Sequence, residues 1–262
     1  MDQKNNSLIV PIAIVLAGTL VGAGIFFSGK KNTNTGTYTK PATTESVVIS
    51  VDPITADDHI LGNPNAPIAM IEFSDTECPF CKQFHQTMNK IMTSQGKDGK
   101  VAWVYRHFPI ATLHPKAAKE SEASECVAEL GGNDKFWQYM NKIYETTPSN
   151  NGLDATQLPK IAGEIGIDKT KFNTCLSSGK YASKIDGQIA EAQKAGARGT
   201  PTTIIVLKNK ASVGVQSFIS DSITKLGIPS DILKISDDKT KIFVGGALPY
   251  DFMNQLVSVL TI

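Results

Sequence analysis

A chain of 262 residues with 41% hydrophobic side chains can bury the core of one medium domain with appendages and needs no second domain. Its 26 basic and 25 acidic side chains leave a net charge of +1, unlike the basic stripe of a nucleic-acid binder, so nucleic acid is not an expected partner. The cysteines Cys78, Cys81, Cys126 and Cys175 are even in number, and only the first two share a CxxC spacing. That leaves Cys126 and Cys175 either as a structural disulfide, which is favoured, or as two buried free thiols.

Residues 1–28 are read as a membrane anchor or signal. Leu8 to Phe27 carries no charge, and as a helix it would rise about 30 Å, one hydrocarbon thickness. The small-residue pattern Gly22-Ala23-Gly24 lies inside the apolar run rather than after it, which favours an uncleaved transmembrane helix over a cleaved signal peptide. Lys4 precedes the span and Lys30 and Lys31 follow it, so basic residues do not settle its orientation. Residues 29–45 are polar and small and read as a flexible linker with a reach of about 20 to 25 Å.

The remainder, 46–262, is read as one folded domain. Residues 47–51 suggest a short strand and 57–67 a turn-rich approach to a second, 68–73. Cys78-Pro79-Phe80-Cys81 then opens a helix, because Phe80, Phe84, Met88 and Ile91 recur at helical spacing and Pro79 costs no hydrogen bond in a first turn. Cys78 would lie exposed at the positive end of the helix dipole, where unpaired N–H groups favour a thiolate, so it is the expected nucleophile. Cys81, one turn further in, is the expected resolving thiol.

A strand at 101–106 after this helix implies a parallel pair with a right-handed crossover. Helical periodicity follows at 117–129, 136–144, 153–165, 169–176 and 181–195, giving a helical insertion at about 114–196 in an α/β frame. Strands at 203–207 and 241–244 and a helix at 250–260 end the chain. His85 beside the two cysteines supplies too few ligands for zinc, so no metal and no cofactor are expected. His85 reads as an exposed helix residue, His59, His107 and His114 as turn residues, and Trp103 and Trp137 as core.

A strand ending in CxxC, a parallel neighbour, a helical insertion and Gly199-Thr200-Pro201-Thr202 before a strand and terminal helix together resemble the thioredoxin superfamily. The insertion narrows this to DsbA-like thiol:disulfide oxidoreductases. Asp58-His59-Ile60-Leu61-Gly62-Asn63-Pro64 and Glu72-Phe73-Ser74-Asp75 are similar to the membrane-anchored bacterial branch. The resemblance implies Cys78 and Cys81 as the catalytic pair, Pro201 as a cis-proline, and a Thr200 backbone on which a substrate chain can pair. It also implies Glu72 as a buried acid relaying the Cys81 proton; a strand-face glutamate paired with a lysine is the alternative reading.

The implied activity is exchange of the Cys78-Cys81 disulfide with cysteines of secreted or membrane proteins, as an oxidase first, with an isomerase, a reductase or a non-enzymatic tethered binding module as alternatives. A DsbB-like or VKOR-like membrane reoxidant, a bacterial single-pass location with an extracytoplasmic catalytic domain, and a monomeric soluble domain belong to the same implication. Two features depart from the family. Phe80 stands where the most oxidising members carry histidine, and residues 208–240 far exceed a tight hairpin.

Overall fold

The computed structural model describes residues 47–261; the expected anchor and linker at 1–45 lie outside them. Among the described residues no helix is long and apolar enough to cross a membrane. Six strands form one mixed sheet in the order β1-β3-β2-β4-β6-β5. They are β1 (His59–Gly62), β2 (Ile68–Ser74), β3 (Val101–His107), β4 (Thr202–Leu207), β5 (Leu233–Ile235) and β6 (Lys241–Gly245). Only β2 and β3 run parallel, joined by helix α1 (Pro79–Ser94). The other pairs are antiparallel.

Alternation along the strands divides two cores. Met70, Trp103, Tyr105, Ile205 and Val244 face α1 and the terminal helix α7 (Tyr250–Leu260). Ile71, Phe73, Val104, Ile204 and Phe243 face the other way, where Ile49 and the alanines at the end of α5 (Ala182–Lys194) cover them. The helical block of α2 (Ala117–Thr146), α3 (Gln157–Glu164) and α4 (Lys169–Ser178) has a third core around Tyr139, Ile143, Ile161 and Phe172. There Cys126 and Cys175 are bonded, with their Cα atoms 5.8 Å apart. The two helices expected at 117–129 and 136–144 are both present as the two halves of α2, which breaks at Gly132, whose φ of +79° and ψ of −177° only glycine adopts readily.

Several expectations are corrected. Residues 47–51 form no strand: Ile49 is buried against the sheet, but the segment joins no ladder. The approach at 57–67 contains β1, an edge strand on β3. His107 ends β3 and His59 opens β1, and neither lines a turn. Both ring Nε2 atoms lie by Glu125 Oε1, at 3.1 and 2.9 Å, and Lys184 Nζ approaches Glu125 Oε2 at 2.7 Å. Burying one carboxylate with these partners keeps its charge compensated. His114 does lie in a loop, 2.9 Å from Asp75. Residues 208–240 hold a helix, α6 (Val213–Thr224), and strand β5. The helix starts where Ser212 accepts the Val215 N–H and packs on α7 through Phe218 and Phe252, whose ring centroids are 5.5 Å apart.

Candidate active site

Cys78 is the N-cap of α1, with extended backbone at φ −77° and ψ 122° and Pro79 as the next residue. The cap makes no side-chain hydrogen bond to the helix, so the first-turn N–H groups are left directed at its sulfur. The expected exposure is corrected: Cys78 is only 5% exposed, because the chain before Thr202 closes over it. As a thiol it donates to the Thr200 carbonyl at 3.4 Å. Cys81 is fully buried and accepts the Asp75 N–H at 3.4 Å. Both are free thiols.

The two sulfurs titrate in opposite directions. The Cys81 thiol donating to Cys78 is the largest influence and lowers the Cys78 pKa, while partial burial works against it. The Thr200 hydroxyl and the N–H groups of Cys81 and Phe80 add to the lowering, and the result is about 6 against an ordinary 9.0. Thr200 Oγ1 has no hydrogen-bond partner while Cys78 is a thiol, so it is available once a thiolate forms. Burial pushes Cys81 well above 9.0, and the charges of Cys78 and Glu72 push it further. One turn of helix thus separates a stabilised thiolate from a thiol held neutral.

Glu72 lies mid-strand in β2 with no exposure. Its Oε2 accepts the Trp103 indole N–H at 2.9 Å and its Oε1 has no partner. No lysine pairs with it among the described residues; the aromatic neighbour on β3 takes that place. Desolvation raises its pKa to about 7, with the nearby Ser74 hydroxyl and the Trp103 indole N–H opposing. Pro201 follows Thr200 in the cis form. The Cys78 sulfur meets the Thr200 backbone, whereas Glu72 is on the neighbouring strand, with Thr203 as its register partner.

Two residues near the dithiol are misplaced by sequence reasoning. Phe80 does not share the buried stripe of Phe84, Met88 and Ile91; it is 61% exposed beside Cys78. His85, expected on the surface, is 2% exposed, with ring centroids 5.0 Å from Trp103 and 4.5 Å from Tyr144. Asn141 Oδ1 already accepts from Asn89, so His85 Nε2 at 2.7 Å is the protonated nitrogen of a neutral ring. Burial accordingly lowers its pKa to about 4.

An acidic cluster beneath the CxxC loop was not anticipated. Asp75 Oδ1 accepts the Glu77 N–H at 2.9 Å and Oδ2 the Ile110 N–H at 2.8 Å. Glu77 accepts the N–H groups of Gly152 and Leu153, both at 3.2 Å. Glu120 accepts the Thr76 hydroxyl at 2.6 Å, and burial followed by Glu77 and Asp75 raises its pKa to about 8. These carboxyls tie the loops on either side to the turn that carries Cys78. The acids in Ser74-Asp75-Thr76-Glu77 were visible in the sequence, but their loop partners lie 35 to 76 residues away.

A family model described as Thioredoxin matches residues 55–217. Solved structures with the same fold include Wolbachia pipientis alpha-DsbA1, at 24% identity and a TM-score of 0.59, covering 79% of this chain and 92% of that one. Oxidised BdbD from Bacillus subtilis matches at 20% identity and a TM-score of 0.59, covering 82% and 99%. At these identities the likeness is one of fold. A curated relative, Na(+)/H(+) antiporter NhaA 1 of Mycolicibacterium gilvum, is 27% identical over 150 residues, 56% of this chain and 23% of that protein. The chain thus spans about a quarter of the length of the curated relatives it matches.

Proposed function

We propose, from the premise that this chain belongs to the thioredoxin family, that it is a thiol:disulfide oxidoreductase acting through Cys78 and Cys81, most directly as an oxidase. The observation that carries this is the placement of the two sulfurs, Cys78 at the N-terminus of α1 against the Thr200 carbonyl and Cys81 fully buried one turn further in, an arrangement that lowers the Cys78 pKa and raises that of Cys81. Stabilising the Cys78 thiolate stabilises the reduced protein, which makes its disulfide the better oxidant.

In the oxidised protein a substrate thiolate attacks Cys78 Sγ, forming a mixed disulfide as the Cys78-Cys81 bond breaks. The electron pair leaves on Cys81, whose buried site disfavours charge, and Glu72 supplies a proton. A second substrate thiolate then attacks the substrate sulfur, the substrate disulfide forms, and Cys78 leaves as a stabilised thiolate. Two substrate thiols lose two electrons and the protein disulfide gains them. Thr200 contributes its backbone to align the substrate chain beside Cys78, and Pro201 shapes that surface.

The substrates proposed are cysteine-bearing extracytoplasmic proteins, with a membrane oxidant restoring the Cys78-Cys81 disulfide. Support for an oxidising compartment comes from the Cys126-Cys175 bond, of a kind that reducing cytosol does not preserve. The membrane tether at 1–28 belongs to the same proposal. The test is to mix the oxidised full chain with a reduced two-cysteine peptide and follow both partners. Stoichiometric peptide oxidation with appearance of Cys78 and Cys81 thiols is expected. An unreactive Cys78-Cys81 pair would instead fit a binding module with a structural bridge.

A further inference from the structure

A cleft of about 440 Å³ opens on the sheet face away from α1, between the Gly196–Thr202 loop and the ends of β5 and β6. Its floor is the Phe243 ring, with Lys234 Nζ 4.7 Å from the ring centroid. Arg198 is exposed on the lining with no carboxylate partner among the described residues, and Asp231 is the lone acid of the lining. Side chains are missing where they would fill it: a Cβ placed on Gly196, Gly199 or Gly246 would meet nothing within 4 Å. Two cations against one anion in a concave, partly apolar space favour a negative guest.

The cleft is continuous with the dithiol through one residue. Thr200 lines it and also holds the Cys78 sulfur at its carbonyl. Arg198 lies two positions before Thr200 across the bend at Gly199 and Thr200, so at most about 7 Å of chain separates them, a distance that an extended substrate advancing about 3.3 Å per residue covers in about two residues. A polypeptide laid along this loop with its cysteine at Cys78 therefore reaches Arg198 with a side chain about two residues from that cysteine.

We infer that this cleft is a specificity subsite for an acidic side chain of the polypeptide engaged at Cys78, with Arg198 and Lys234 as its counter-charges. The inference rests on the exchange activity proposed above. Neither cation needs to touch the reacting sulfurs, so the preference belongs in KM rather than kcat.

The test uses the full chain, kept oxidised by excess glutathione disulfide, and three sets of reduced two-cysteine peptides that carry Asp, Asn or Lys two residues before or after the first cysteine, with the uncatalysed rate subtracted. A partly exposed charge pair is worth up to about fivefold, so kcat/KM for the Asp peptide should exceed that for the Lys peptide by about three- to tenfold in low salt and by less in high salt. Arg198→Glu and Lys234→Glu should each reduce or reverse that ratio through KM. Two surface variants guard against one failing to fold. Equal rates for Asp and Lys peptides, or a ratio unchanged by both variants, would overturn the subsite while exchange of the Asn peptide preserves the activity. No exchange with any peptide would overturn both.

Discussion

At Cys78 hydrogen bonding outweighs burial, and that balance can be measured directly. Titrating thiolate absorbance of the reduced chain should give a first midpoint near 6 and no Cys81 transition until well above 9.0. Because the Cys81 thiol is the strongest stabiliser, Cys81→Ala should raise the Cys78 midpoint. An unchanged midpoint would show that the helix N–H groups alone suffice. Glu72 carries the opposite sign. Its folded pKa of about 7 lies above the ordinary 4.5, so between those values the native state holds the extra proton and stability falls as pH rises through the window. Glu72→Gln should therefore stabilise the protein by about 1–3 kcal/mol at pH 8 and by little at pH 4, while slowing exchange. Urea unfolding at the two pH values checks it; a difference independent of pH would contradict the buried-acid reading. The sequence pointed to Cys78 and Cys81 because their spacing is local, whereas Glu72 came only from the family resemblance. It misplaced Phe80 and His85 because helical periodicity gives a face but not what packs on it: Trp103 and Tyr144 come from other elements to bury His85.

The elements depend on a few specific residues. The Cys126-Cys175 bond joins α2 to α4 across a separation of 49 residues, for which the chain-entropy relation allows up to about 4 kcal/mol. Replacing both cysteines with alanine should cost about 2–4 kcal/mol in denaturant unfolding, read with Cys78-Cys81 in one fixed redox state. A loss under about 0.5 kcal/mol would mean the helical core holds without the bond. Gly132→Ala should cost about 1–3 kcal/mol through the backbone alone, since the space around it is open and its conformation is nearly exclusive to glycine. Elements with clear apolar periodicity, β2, β3, β4, β6 and α7, were legible within a residue or so, and α1 at its start. The failures have separate causes. Strand β1 is only the four residues His59-Ile60-Leu61-Gly62, abutting the turn residues Asn63-Pro64 and held by pairing with β3, whereas Val47-Val48-Ile49-Ser50-Val51 has strand composition but joins no ladder. Arg106 instead secures the adjacent segment through Asp58 and the carbonyls of Asp52 and Pro53.

At the scale of the whole molecule, the sheet places the CxxC turn at the end of β2, between the Thr200 loop and the acids at 75, 77 and 120. The order of elements made this architecture readable, because a parallel β2-β3 pair admits few crossovers; the antiparallel addition of β5 and the cleft beside it depend on contacts within 208–240 that carry no periodic signal. Redox state and stability are linked through Cys78. Its depressed pKa stabilises the reduced fold at pH values above 9.0, and that contribution is lost as pH falls through about 6. The stability of the reduced chain relative to the oxidised one should therefore decline over the same interval, by thermal unfolding of each form. The most direct test of the central claim is a trap. Cys81→Ala in the full chain is mixed with a peptide disulfide and the adduct is mapped by mass. A peptide bound through Cys78, with Cys126 and Cys175 still joined, is the expected result. An unmodified Cys78, or an adduct at Cys126 or Cys175, would contradict the assignment of Cys78 as the nucleophile.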